Sequence, residues 1–319
     1  MVITPSPPIH RTVDAALTDT YALGMSTQPA TAKPIAYLAR TRRYYQALGY
    51  PPYHWARNIE VPFAALQKPL ADSRLVLITT AALPQQGIGP QGPGAAYNAA
   101  AEFHRVYTTA VEPTPDLRIS HLNYDRGHTT ADDANSWLPV ERLREQVGAG
   151  RLGALAEQLI GTPTHRSQRV TREQDAPDVR GACRTLGADA ALLVASSPFC
   201  HQTMGLLAWH LEHHGIPTVI LGCALDILEH VGVPRFVFSD FPLGNSAGKP
   251  HDADSQRRTL ALALDLLESA RAPRTSWSSA QVWQEDAGWK ADYLNVDGLS
   301  AADLEQRRRE FQAQQDVAR

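Results

Sequence analysis

The sequence predicts an α/β protein of three layers, a mainly parallel sheet with helices on both faces. Three observations lead there. Short continuous apolar runs, at residues 75–78 and 190–195, read as strands buried on both sides. Between residues 175 and 238 such runs alternate with helix-length segments, the pattern of right-handed βαβ units. And 319 residues, 43% hydrophobic and 20% charged, are enough for a sizeable buried core.

Residues 1–30, with Pro5, Pro7, Pro8 and Pro29, read as a flexible leader, and Met25 is a second candidate start. Apolar residues at helical spacing predict a helix over 35–48, stopped by Gly49 and Pro51. The strand at 75–78 runs into a Gly/Pro/Gln loop, 84–94, placed as a cover over the strand ends. A second strand is expected at 117–122, a polar loop at 123–136, and a helix at 138–147 with Pro139 in its first turn. Helix 179–186, strand 190–195, helix 203–214, strand 218–221, helix 225–231 and strand 235–238 follow. An amphipathic helix at 256–269 and a very polar one at 301–317 close the chain, the latter on the surface or on a second subunit, which leaves homo-oligomerisation open. The expected division is leader 1–30, α/β domain 31–275 and C-terminal extension 276–319.

Net charge is −3, so no global basic field recruits nucleic acid or an anionic membrane. The Arg runs at 40–43 and 307–309 are explained more cheaply as solvated helix faces. No stretch approaches the ~18 apolar residues of a membrane span. Three cysteines in so long a chain fit a reducing compartment, and the expectation is cytoplasmic. Gly87 to Gly94 carries too many prolines for a phosphate loop, so no nucleotide cofactor motif is present.

In a parallel sheet the ligand sits beyond the carboxyl ends of the strands. Thr80, His121, Tyr124, Asp125, Ser197, Cys200, His201, Gln202, Asp240 and Asn245 all follow predicted strands. Cys200 falls at a strand–helix junction, where the helix dipole favours a thiolate and His201 would serve as proton carrier; the plainer alternative is a small residue packing a tight turn. Cys183 and Cys223 read as buried packing residues. His121, Asp125 and His128, joined by Cys200 and His201, make a metal site conceivable, although an Asp/His-rich loop is more often simply solvated. His210 and His214 stand four apart but lack the intervening Glu of a zinc-protease motif, so they read as helix C-terminal residues.

Ala195-Ser196-Ser197-Pro198-Phe199-Cys200-His201-Gln202-Thr203-Met204-Gly205 resembles the redox segment of the selenoprotein B family of glycine, sarcosine, betaine and D-proline reductases. The likeness extends, in order, through Arg40-Thr41-Arg42-Arg43-Tyr44-Tyr45, Ser73-Arg74-Leu75-Val76-Leu77-Ile78-Thr79-Thr80-Ala81, Ser120-His121-Leu122-Asn123-Tyr124-Asp125 and Asp240-Phe241-Pro242-Leu243-Gly244-Asn245, about residues 34 to 275. The resemblance implies an enzyme acting on a small amino-acid-like or amine substrate, with a separate pyruvoyl-containing protein partner that activates the amine. It also implies a chalcogen at Ser197 that attacks and a Cys200 thiol that resolves. Here Ser197 is a serine, and Ser246 stands where relatives keep another thiol. The internal dithiol cycle is therefore lost. Thiol-assisted cleavage through Cys200, Ser197, His201, His121 and Asp125 is the expected chemistry, with Tyr124, Thr80, Gln202, Asp240 and Asn245 binding substrate. The alternatives are a metal-dependent enzyme using Cys200, His201, His121 and Asp125, and a non-catalytic small-molecule-binding paralogue.

Overall fold

The structure is a computed structural model and describes residues 9–12, 33–84, 101–102, 105–119, 121, 123–164 and 167–317. The strands in chain order are β1 (Ile9–Thr12), β2 (Arg74–Thr79), β3 (Leu83–Pro84), β4 (Ala101–Glu102), β5 (Tyr107–Ala110), β6 (Ala154–Leu155), β7 (Gln158–Gly161), β8 (Ala190–Val194), β9 (Thr218–Gly222), β10 (Arg235–Phe238) and β11 (Thr275–Ser278). Nine of them form one sheet in the order β1-β11-β10-β9-β8-β2-β7-β5, with β6 also on β2, while β3 and β4 form a separate pair. Within the large sheet only β5 runs antiparallel, against β7.

The central strands bury both faces because both faces are apolar. Val76, Ile78, Ala191, Leu193, Ile220 and Phe236 look one way, into a core closed by α1 (Tyr37–Ala47), by the later helix Ala176–Thr185, and by helices Pro198–His213 and Leu225–Val231. Leu75, Leu77, Leu192, Val219, Leu221 and Val237 look the other way, onto helices Val140–Gly148 and Ala253–Ser269. With Val140–Gly148 as α2, Ala176–Thr185 as α3, Pro198–His213 as α4, Leu225–Val231 as α5, Ala253–Ser269 as α6, Trp289–Asp292 as α7 and Ala301–Val317 as α8, the two helical layers are α1/α3/α4/α5 and α2/α6. The predicted three-layer, mainly parallel architecture is what the chain adopts.

One strand was misplaced. Of the expected 117–122, Leu117 and Ile119 are buried, yet the described residues of the segment contribute only an isolated bridge between Ala82 and Arg118. The strand beyond β2 is instead β7, with β5 outside it. Gly161 makes that edge possible: a Cβ there would collide with the Tyr107 ring, and Tyr107 lies across it with its hydroxyl donating to the Ala81 carbonyl at 2.7 Å. The expected boundary at 275 falls on the first residue of β11, which joins β10, and Trp289 and Tyr293 enter the main core. Ile9–Thr12, inside the expected leader, pair with β11. The loop 84–94 lies outside the described residues after Pro84. Helix α8 rests on its own chain: Phe311 is buried among Tyr45 and Tyr50, and the Arg308 guanidinium donates to the Leu48 carbonyl at 3.0 Å. No described helix is long and apolar enough to cross a membrane.

Candidate functional site

The site forms where β2 and β8 release the chain. After Val194 the strand ends, Ser197 caps α4 by accepting from the Cys200 N–H at 3.4 Å, and Pro198 takes the first helical position. Cys200 thus sits in the first turn, five residues deeper into the helix than a start at Thr203 would put it. Its sulfur has no exposed surface and receives the Thr80 hydroxyl at 3.1 Å; the Ser197 hydroxyl lies at 2.9 Å and that of Thr164 at 3.7 Å. Burial pushes this thiol up, but the His121 imidazole and the Ser197 and Thr80 hydroxyls outweigh it and bring it down to about 6. Cys183 and Cys223 have burial without that compensation and are pushed up to about 12. Of the three thiols, Cys200 alone is brought down and not pushed up.

His121 reaches the site from the loop after Ile119. Its Nε2 lies 3.0 Å from the Thr164 hydroxyl, and its buried Nδ1 has no hydrogen-bond partner. The ring is nonetheless close enough to act on the Cys200 charge. Thr164, which follows β7, was not anticipated from the sequence; Thr162-Pro163-Thr164 after an apolar strand was the available signal.

Beside this cluster the 123–129 loop folds against residues 242–245. The Asp125 N–H donates to the Leu243 carbonyl at 2.9 Å, and the buried Asp125 carboxylate accepts from His128 Nδ1 at 2.9 Å. Burial raises the Asp125 pKa, against the pull of His128. Buried Tyr293 stands near both Asp125 and Cys200 and donates to the Asn123 carbonyl at 2.7 Å.

Several expected site residues serve the fold instead. His201 was placed as a proton carrier or metal ligand, but both nitrogens are committed: Nδ1 donates to the Ser197 carbonyl at 2.7 Å, and Nε2 accepts from the Cys223 and Ala224 N–H groups at 2.9 and 3.1 Å. Burial depresses its pKa to about 4, so it is neutral. It packs onto Gly222, where a Cβ would come within 2.8 Å of the ring. Gln202 holds the 53–56 segment, accepting from the Ala56 N–H at 2.8 Å and donating to the Tyr53 hydroxyl at 2.7 Å. Asn245 spans Pro242 and Thr129. Asp240 is paired with Lys290, and Tyr124 packs under the Arg126 guanidinium. Among the described residues no three His, Cys, Asp or Glu side chains are grouped to hold a metal, so His121, Asp125, His128 and Cys200 do not make the conceived centre. The His210 and His214 rings lie tilted against each other, centroids 4.4 Å apart, at the end of α4, His214 donating to the His210 carbonyl.

The Ser197–Cys200 contact yields a direct prediction. Ser197→Cys should close a disulfide with Cys200, since the two side-chain atoms are already 2.9 Å apart in the C-x-x-C spacing. Thiol titration of the oxidised variant should find two fewer thiols than in its reduced form, and dithiothreitol should restore both.

The fold and this edge define an α/β protein with one polarised thiol at the carboxyl ends of parallel strands. The chain is 27% identical to D-proline reductase subunit gamma of Acetoanaerobium sticklandii over 202 residues, 63% of this chain and 79% of that relative. It is 26% identical to the glycine reductase complex component B subunit gamma of Carboxydothermus hydrogenoformans over 200 residues, 60% of this chain but 45% of that relative. The chain is related to the reductase subunits that these two represent. No family model and no solved structure matches it.

Proposed function

We propose that this protein is a reductase-type subunit acting on a small amino-acid-like or amine substrate in a reducing, cytoplasmic setting, with Cys200 as its covalent nucleophile. The observation that carries this reading is the Cys200 sulfur set against the Thr80 and Ser197 hydroxyls at a strand–helix junction, with His121 beside it to lower the thiol pKa. The Cys200 sulfur attacks the substrate carbon that bears the nitrogen; the C–N bond breaks, and the departing amine takes its electron pair and a proton from His121. A thioether results. Ser197 cannot resolve it, so an external dithiol attacks the Cys200 sulfur and the released carbon takes up a proton. The mixed disulfide is then opened by the second thiol of that donor, which leaves oxidised. Both relatives are named as subunits, which supports a protein partner for substrate activation or electron supply.

Bromoacetate tests this, because its carboxylate imitates an amino acid and its bromide replaces the activated amine. Peptide mapping should find carboxymethylation at Cys200, saturating with reagent and slowed by the amino acid or N-methylated amino acid that the site accepts. Cys200→Ser should remove it. Labelling at Cys183 or Cys223 instead, or protection by no such compound, would refute the reading. An unreactive Cys200 in a protein that such a compound still stabilises against heat would mean a binding protein.

A further inference from the structure

Three arginines from distant parts of the chain meet around Asn58, outside the Cys200 cluster. Segment 51–69 runs without helix or strand, and Asn58 pins it to the end of α5: its N–H donates to the Val231 carbonyl at 2.7 Å and its side-chain amide to the Gly232 carbonyl at 3.1 Å. The Arg172 guanidinium donates to the Asn58 side-chain oxygen at 2.8 Å, and Arg274 donates to the Asn58 and Ile59 carbonyls at 2.7 and 3.2 Å. Arg57, one residue earlier, is exposed. Arg274 is held there at a cost. Its φ is +61°, which an L side chain rarely adopts, and its guanidinium lies over Gly232, where a Cβ would come within 2.8 Å of it.

None of the three arginines has an acidic partner among the described residues. Glu173 is taken by Arg169, while Glu60 and Glu229, the latter lining a small cavity beside Arg274, form no ion pair with them. Burial lowers the pKa of Arg172; burial and then the Arg57 charge lower that of Arg274, with no carboxylate opposing either. Half-buried cations crowded together in this way call for an anion from outside. A guanidinium carries five N–H groups, so donors remain after the bonds to Asn58 and Ile59. Ile59, 82% exposed, stands beside the cluster and is the most exposed large hydrophobic among the described residues. The cavity at Arg274 measures about 20 Å³, room for little more than one water, and does not seat a free oxyanion. We propose that this surface docks an acidic segment of a partner protein, its carboxylates on Arg57, Arg172 and Arg274 and an apolar side chain over Ile59. Charge and exposure carry this surface, not the reactivity of Cys200, so it is independent of the proposed chemistry.

A fluorescein-labelled peptide with one leucine flanked by glutamates is titrated with the full-length protein at low ionic strength and followed by fluorescence anisotropy. It should bind, and its affinity should fall as salt is raised. Arg57→Gln should weaken binding about threefold to fivefold, and adding Arg172→Gln, which keeps a donor for Asn58, at least about tenfold in all. Arg57→Lys, which keeps the charge, should retain most of the affinity. Ile59→Ser should weaken the leucine peptide about fivefold and leave unchanged a peptide with serine in place of the leucine. The Arg57 and Ile59 side chains make no hydrogen bond among the described residues, so these variants should melt like the wild type. Failure of the acidic peptide to bind, equal binding of its glutamine counterpart, or an affinity unchanged in the double arginine variant overturns the proposal. Displacement of the peptide by inorganic phosphate at constant ionic strength overturns it as well, since the surface would then hold a free anion.

Discussion

Glu212→Ala should destabilise the protein by about 3–5 kcal/mol, because it strands the buried charge of Arg235. Both side chains have zero exposure, and their N–O distance is 2.5 Å. Glu212 also accepts from the Thr218 N–H at 2.6 Å and the Ala64 N–H at 2.5 Å, while Arg235 donates to the Ala64 carbonyl at 2.6 Å and lies over the Phe63 ring at 4.1 Å. Burial pushes the Glu212 carboxyl up and the Arg235 guanidinium down, each opposed by the other. The pair is therefore costly to form and costlier to break. Urea unfolding should show the full loss in Glu212→Ala, with the double variant Glu212→Met/Arg235→Met recovering most of it, since an apolar pair needs no compensating charge. A loss below about 1 kcal/mol in the single variant would show that water reaches Arg235.

That ion pair was not legible in the sequence. Glu212 lies in a His-rich helix end and Arg235 opens an apolar strand; only the folded chain brings residues 23 apart in sequence into contact. The strands β8, β9 and β10 were readable because burial on both faces demands unbroken apolar runs. The outer strands were not. Tyr107-Thr108-Thr109-Ala110 is half polar because β5 has only one strand neighbour among the described residues, and Thr275-Ser276-Trp277-Ser278 carries little apolar character although it pairs on both sides. Leu117 and Ile119 misled because burial in a loop gives the same apolar signal as burial in a strand.

The site divides in the same way. Thr80, Ser197 and Cys200 follow β2 and β8, so parallel topology already grouped them at one edge, whereas His121 joins them from a loop and not from the strand end expected for it. His201, Gln202 and Asn245 occupy the same edge, and their polarity suggested ligands. Their hydrogen bonds go to backbone and loops, because strand ends that turn sharply leave N–H and C=O groups for side chains to satisfy. The same residue types thus serve chemistry or scaffold according to whether any lone pair is left over, which spacing cannot reveal.

His121 decides how the thiol behaves with pH, and His121→Gln should move the Cys200 midpoint from about 6 up to or beyond the ordinary thiol range near 9. Burial, the largest cause, drives Cys183 and Cys223 to about 12, so the hydroxyls of Thr80 and Ser197 set how far short of that the variant stops. Two consequences compete. At about pH 7 the thiolate fraction falls from roughly nine-tenths to roughly one-hundredth. A thiolate of higher pKa is, however, the stronger nucleophile, by roughly twentyfold for a rise of three units. Alkylation by neutral iodoacetamide should therefore be only a few-fold slower than wild type at about pH 7, and roughly twentyfold faster well above about pH 9, where both thiols are ionised. The two pH–rate curves must cross. Ultraviolet absorbance of the thiolate gives the midpoint directly, with Cys200→Ser as the blank. A midpoint that remains at about 6 in His121→Gln would move the cause from the imidazole to the Thr80 and Ser197 hydrogen bonds, and a uniformly slower variant without a crossing would mean that His121 governs access to the sulfur.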